Sequence, residues 1–439
     1  MVSILGVKQK FMKKISNGVN NKNSYLKLNY KPNHSNEIIA TFYGKSKSSL
    51  SELTKQVAAE SSIGTWTKLS TLSDKVFARL AARVFYLNNK TGIFKIAYPL
   101  SLFEPRNIPQ LLSSIGGNIF SMKAVKNLRL ENIEFPKKYI NQFDGPRWGI
   151  EGIRKILKIH NRPIIGCIMK PKVGLTSTQN ANLSAKIFKN GVDLIKDDEN
   201  LTSLIFNKFE DRVKKVLALK KKVEQETGQR KIYAFNVTAP VRTMIERAKL
   251  VKKSGGRCIM VDVISAGWSA VQELRNQNLD LIIHGHRAGH SAFTRSKKHG
   301  ISMLVLANLA RLAGVDQFHT GTVVGKMEGS AEEVCRVNDL LKEDWKEFDK
   351  LREDWGSIKP ILPIASGGLH PALVPKLVEI LGENLIINFG GGLHGHPQGS
   401  IAGARAAVQS VEATIKGIPL KIYAKNHPEL KIAIEYWKA

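Results

Sequence analysis

A lysine followed directly by carboxylates at the end of an apolar run is the clearest chemical signal in this chain. Lys196-Asp197-Asp198-Glu199-Asn200 follows Val192-Asp193-Leu194-Ile195. Carboxylate oxygens are hard donors suited to Mg2+, and a pair of them leaves room for water and substrate oxygens. An ammonium beside a divalent cation repels it. Lys196 makes sense beside such a site if the amine is neutral and modified. Carbon dioxide adds to a free amine to give a carbamate, which supplies a further oxygen ligand and a negative charge. Two other readings stay open: a Schiff-base lysine, or a plain ion pair between Lys196 and Asp197.

Other segments offer anion chemistry. Ser366-Gly367-Gly368 and Gly390-Gly391-Gly392 present backbone N–H groups of the kind that cradle phosphate. Arg287 and His319 could form a second anion site, and two such sites suggest a bisphosphate. His284, His286 and His290 form an H-x-H-x-x-x-H string that resembles a metal cluster. On a strand, residues i and i+2 share a face, so two ligands are feasible. Asp198 and Glu199 offer Mg2+ the better donors, so His286 and His290 are read as proton-transfer or phosphate-contact groups. His284 stands between a structural and a functional role, and His394 and His396 receive none. Lys170-Pro171-Lys172 follows another apolar run. Gly321 to Gly329 has a glycine at each end and Lys326 near its middle. Such a loop can close over a ligand or be an ordinary turn.

These residues need a scaffold that brings run ends together. The runs are Pro163–Met169, Val192–Ile195, Lys231–Val237, Cys258–Ile264, Leu279–Ile283, Gln317–Val323, Ile361–Ala365 and Leu385–Phe389. Helical stretches lie between them: Phe209–Glu226, Val241–Lys253, Lys297–Ala313 and Ala331–Glu347. Short apolar runs without alternation suit parallel strands buried on both faces. The predicted fold is α/β: a C-terminal (β/α)8 TIM barrel, with active groups at the C-terminal strand ends, preceded by a smaller α+β domain. An open doubly wound sheet is the structural alternative. The predicted domains are a disordered extension over 1–22, an N-terminal α+β domain over 23–145, and the barrel with a helical tail over 146–439. In the first domain, Glu37–Tyr43 and Gly92–Tyr98 read as strands. Ser49–Glu60 reads as a helix, and a short helix starts at Asn107 and stops at Gly116-Gly117.

Bulk properties narrow the class. The chain has 439 residues and 43% hydrophobic content, enough for a large core. No apolar stretch reaches membrane-span length. The apolar N-terminal residues precede Lys8, Lys10, Lys13 and Lys14, the reverse of a secretory signal, so a cytoplasmic protein is expected. Cys167, Cys258 and Cys335 lie far apart and suggest neither a disulfide framework nor a zinc site. The formal charge of +30 suits an anionic partner or a surface coated with solvated lysines. The lysines are spread along the chain with no nucleic-acid motif, which favours the second reading.

Together the segments closely resemble the large subunit of ribulose-1,5-bisphosphate carboxylase/oxygenase (RuBisCO). The strings that carry the resemblance are Ala58 to Thr67 (A-A-E-S-S-I-G-T-W-T), Lys170 to Leu175, Lys196 to Asn200, His286-Arg287-Ala288-Gly289-His290, Gly321 to Gly329 and Ser366-Gly367-Gly368. The resemblance runs from about residue 25 to about residue 420. It implies that Lys196 is carbamylated by CO2 and holds Mg2+ with Asp198 and Glu199. It also implies that the carbamate takes the C3 proton of ribulose 1,5-bisphosphate, giving an enediolate that CO2 attacks at C2. Lys326 would hold the new carboxylate, Lys170 would protonate the departing carbanion, and His286 would assist proton movement. One phosphate would lie near Thr65, Trp66, Gly368, Gly390 and Gly391, and the other near Arg287 and His319. Lys172 would support the metal site, and Ser366 would contact sugar hydroxyls beside Gly367. Glu60, Thr65, Trp66 and Asn118 would reach the barrel mouth of a neighbouring subunit, so the active unit is at least a homodimer.

The compact chain looks most like the archaeal form III or II/III groups. That implies dimers or rings of dimers without a small subunit, O2 as a competing substrate, and a place in AMP and nucleoside salvage. Ile168, Gly289 and Asn388 depart from residues common in plant enzymes, which bears on substrate fit. A RuBisCO-like enolase or isomerase of a thio-sugar phosphate is the alternative, although the residues needed for carboxylation are in place. A basic nucleic-acid-binding protein with a relic barrel is a third reading.

Overall fold

The computed structural model describes residues 24–65, 67–324, 330–343, 345–348 and 351–437. They divide into two compact units, one reaching Tyr139 and including Ser296–Ser302, the other holding the rest.

The first unit is built on strands β1 (Glu37–Ser46), β2 (Arg83–Leu87), β3 (Ile93–Pro99) and β4 (Val125–Glu134). β1 pairs antiparallel with both β3 and β4, and β2 lies at the far edge. Helix α1 (Leu50–Glu60) buries Leu53, Val57 and Ala58, and Ser49 caps it by accepting a bond from the Glu52 amide. Helix α2 spans Asp74–Leu80. Helix α3 (Ile108–Ile115) starts at the Asn107 cap and stops at Gly116. Residues 296–302 depart from expectation. Periodicity predicts a helix from Lys297, but Gly300–Ile301 pairs in parallel with β4 and the Ser302 hydroxyl donates to the Glu131 carbonyl. Gly300 adopts φ +115°, a conformation that no helix accommodates.

The second unit is a closed barrel of eight parallel strands: β5 (Ile164–Ile168), β6 (Leu194–Lys196), β7 (Ile232–Asn236), β8 (Cys258–Asp262), β9 (Ile282–His286), β10 (Gln317–His319), β11 (Leu362–Ser366) and β12 (Ile386–Phe389). The ring closes through β12–β5 and β9–β10 pairing. Intervening helices include α4 (Gly149–Leu157), α5 (Ser177–Lys189), α6 (Phe209–Thr227), α7 (Val241–Lys253), α8 (Trp268–Asn276), α9 (Met303–Leu312), α10 (Ala331–Lys342), α11 (Val374–Leu381), α12 (Gly399–Ile415) and α13 (Pro428–Trp437). An antiparallel hairpin, Trp345–Phe348 with Leu351–Asp354, follows α10. The predicted TIM barrel is the observed one. The fifth strand lies later than its apolar run suggests, so His284 and His286 are within the strand rather than beyond it.

Apolar side chains fill the lower barrel. Leu194, Ile232, Met260, Ile282, Ile364 and Ile386 form one cluster with Ile150, Ile153 and Leu157 of α4. The i, i+3, i+7 spacing on α4 lays one face across the N-terminal strand ends. Asp316, just before β10, accepts from the Trp148 and Gly149 amides and from Arg275, which fixes that helix start. The N-terminal end is sealed, so the polar strand ends collect at the opposite mouth.

Candidate active site

Lys196 ends β6 with a fully buried side chain. Its amine donates to the Asp197 carbonyl at 2.8 Å and to the Met260 thioether at 3.3 Å. Burial pushes its pKa down to about 8, against the opposing pull of the Glu199 and Asp198 carboxylates. The open possibility of a Lys196–Asp197 ion pair is corrected. The Asp197 carboxylate turns into the core, where it accepts from Arg212 at 3.2 Å, Tyr233 at 2.7 Å and the Asn236 amide at 2.9 Å.

Asp198 is buried, and Lys170 of the loop after β5 reaches its Oδ2 at 2.5 Å. Glu199 is more open. Lys172 lies 3.4 Å from its Oε1, and His286 Nε2 lies 3.9 Å from its Oε2. Burial raises the Glu199 pKa, but its own amide, Lys196, His286 and Lys172 together bring it down to about 2. Asn236, at the end of β7, donates to the Asp198 and Glu199 carbonyls and braces this segment. Asn236 escaped the sequence reading because nothing in its neighbourhood marks it as more than a strand residue.

Among the described residues, no group of three His, Cys, Asp or Glu side chains is arranged to hold a metal. The donor set here is two carboxylates plus a buried amine. It fits Mg2+ once the amine carries an oxygen-bearing group, and not before. The histidine string is therefore no metal cluster. His284 is buried in the barrel, bonded to Gln317 and His319. His290 Nδ1 pairs with the Thr294 hydroxyl at 2.9 Å, and burial, Arg287 and His286 push its pKa down to about 3.

His286 ends β9 with Asp262 of β8 3.9 Å from its Nδ1. Asp262 Oδ1 is buried and, beyond that long contact, accepts no hydrogen bond, a cue visible only in three dimensions. Arg287 is held against Met303, and burial lowers its pKa to about 10. His319 and Ser366 end neighbouring strands and bond to each other at 2.7 Å. Gly367 and Gly368 adopt φ +110° and +70°, which turns the chain sharply after β11. Gly390 and Gly391 follow β12, and a Cβ on Gly390 would lie 3.5 Å from Lys170 Cε. The structure thus brings Lys170, Lys172, Lys196, Asp198, Glu199, His286, Arg287, His319, Ser366, Gly367, Gly368, Gly390 and Gly391 to strand ends at one mouth. Glu60 ends α1, Thr65 follows it, and Asn118 opens a short 3-10 turn, all in the first unit. Trp66 and Lys326 lie outside the described residues.

Comparison with known proteins identifies the family. Residues 24–139 match the ribulose bisphosphate carboxylase large chain N-terminal domain, and residues 149–437 match its catalytic domain. A ribulose bisphosphate carboxylase from Methanocaldococcus jannaschii is 48% identical over 94% of this chain and all of its own length. The octameric enzyme from Pyrococcus horikoshii, solved as a complex with sulfate, superposes with a TM-score of 0.88 at 45% identity, covering 94% of this chain and 96% of that one. A dimeric archaeal Rubisco from Hyperthermus butylicus gives a TM-score of 0.88 at 44% identity, covering 94% and 98%. This chain belongs to the ribulose bisphosphate carboxylase large-chain family.

Proposed function

We propose that this protein carboxylates ribulose 1,5-bisphosphate to two molecules of 3-phosphoglycerate. The observation that carries the reading is Lys196: a fully buried amine at a barrel strand end, under the pull of the Glu199 and Asp198 carboxylates, with its pKa pushed down to about 8. That environment raises the neutral fraction of the amine to about a tenth at pH 7, from less than about a thousandth for an ordinary lysine, and the neutral form adds CO2 and releases a proton to give a carbamate. The Lys196 carbamate, Asp198 and Glu199 would hold Mg2+, which would supply positive charge to stabilise the enediolate.

The carbamate oxygen takes the C3 proton, and His286 assists proton movement. A bond forms from C2 to CO2, and Lys326 holds the new carboxylate. Water adds at C3 and the C2–C3 bond breaks. Lys170 then delivers a proton to C2 from beside Asp198. Gly368, Gly390, Gly391, Thr65 and Trp66 take one phosphate, and the other lies against Arg287, near the His319 ring. Gly367 shapes the turn, Ser366 meets a sugar hydroxyl, and Lys172 offsets charge at Glu199. Glu60, Thr65, Trp66 and Asn118 come from a second copy, with Asn118 on the carboxylated intermediate. Oxygenation by O2 follows from the same enediolate, and a role in AMP salvage is what the resemblance to the archaeal forms implies.

The test is to activate the protein with bicarbonate and Mg2+, add ribulose 1,5-bisphosphate, and assay 3-phosphoglycerate. Wild type is expected to form it and Lys196→Ala is not. Turnover of a thio-sugar phosphate alone would replace the proposal with the enolase reading.

A further inference from the structure

A hydrogen-bond chain runs from the barrel core to the mouth. Gln317 Oε1 lies 2.9 Å from His284 Nδ1, and His284 Nε2 lies 2.9 Å from His319 Nε2. His319 Nδ1 lies 2.7 Å from Ser366 Oγ. Gln317, His284 and His319 are buried. The His286 ring packs edge-on against His319 with centroids 4.8 Å apart, which limits that ring's tilt.

Burial holds both His284 and His319 well below the usual imidazole range, so both rings are neutral. A neutral imidazole has one N–H and one lone pair. Each contact therefore needs one donor and one acceptor, and the chain has a single direction. An amide oxygen at Gln317 makes His284 Nδ1 a donor. His284 Nε2 then accepts from His319 Nε2–H, and His319 Nδ1 accepts from the Ser366 hydroxyl. Ser366 turns its proton inward and presents only lone pairs to the mouth.

We propose that Gln317 and His284 are positioning residues of the substrate site: they set the tautomer of His319 and thereby orient Ser366 as an acceptor for a substrate hydroxyl. This rests on the reading of Ser366 as a sugar contact. Nothing in the sequence marks Gln317, and His284 alone is equally suited to a core histidine. The connection between them is a property of the folded barrel.

The test combines a mutant cycle with a spectroscopic reading. Gln317→Leu and His284→Phe should each raise KM for ribulose 1,5-bisphosphate roughly five- to tenfold, the effect of one misdirected hydrogen bond, with a smaller change in kcat. In a Ser366→Ala background they should add nothing. Gln317→Glu, which keeps an acceptor oxygen, should recover most of what Gln317→Leu loses. Equal KM increases in both backgrounds would overturn the proposal. Independently, 15N spectra of the histidine-labelled wild-type protein without substrate should show His319 protonated on Nε2. Protonation on Nδ1 would also overturn it. The spectra need neither turnover nor a folded variant, so a failure of the carboxylase reading is distinguishable from a failure of this one.

Discussion

Lys196, Asp197 and Asp198 are consecutive, yet their side chains take three separate directions. Lys196 lies in the barrel, Asp198 meets Lys170 at the mouth, and Asp197 meets Arg212 in the core. Sequence spacing identifies the cluster but does not separate a structural carboxylate from a site carboxylate, because both follow the same strand. The split is testable. Asp197→Ala leaves the Arg212 charge buried and uncompensated, which should cost about 3–5 kcal/mol in urea unfolding. A loss below about 1 kcal/mol would show that the pair is not the anchor described. Lys170→Met acts at the other end of the cluster. It should lower product formation at least about 100-fold, the scale of a lost proton donor.

At the scale of elements, α4 and the two glycine turns carry most of the positioning. Ile153 is fully buried in the cluster that closes the barrel floor. Ile153→Ala should destabilise by about 2–5 kcal/mol with little change in KM, read by thermal melts beside steady-state kinetics. Gly392 packs so that an added Cβ would meet the Leu369 carbonyl and His370 Cα, so the turn after β12 rests on the turn after β11. In the first unit, burial raises the Glu134 pKa to about 7, opposed only in part by Lys95. A raised folded-state pKa favours the fold below the unfolded value, and that contribution is lost as pH rises through about 7. Glu134→Gln should therefore be more stable than wild type at about pH 8, by about 2 kcal/mol, with the gap closing toward about pH 4.5. A gap that widens on acidification would contradict this. Strand and helix identities were legible because apolar runs and caps such as Ser49 and Asn107 act locally. The 296–302 excursion was not, because its pairing with β4 is a long-range contact that overrides local helical pattern. Asn236, Asp262 and Gln317 were likewise hidden, since each matters through a neighbour on another strand.

At the scale of the whole molecule, the account requires more than one copy of the chain. Glu60, Thr65, Trp66 and Asn118 are read as completing a neighbour's site, and the solved relatives are dimeric or octameric. Sedimentation should give a mass that is an even multiple of 48.8 kDa. A monomer that turns over ribulose 1,5-bisphosphate at the assembled rate would refute the shared site. The +30 charge has no structural explanation among the described residues. The central claim is that Lys196 captures CO2 to complete the magnesium site. The most direct measurement is to equilibrate the assembled protein with 13C-bicarbonate and Mg2+, trap carbamates chemically, and locate the label by peptide mass. The account predicts one labelled lysine per chain, at position 196, absent when CO2 is removed. An unlabelled Lys196 in protein that is forming 3-phosphoglycerate would contradict it.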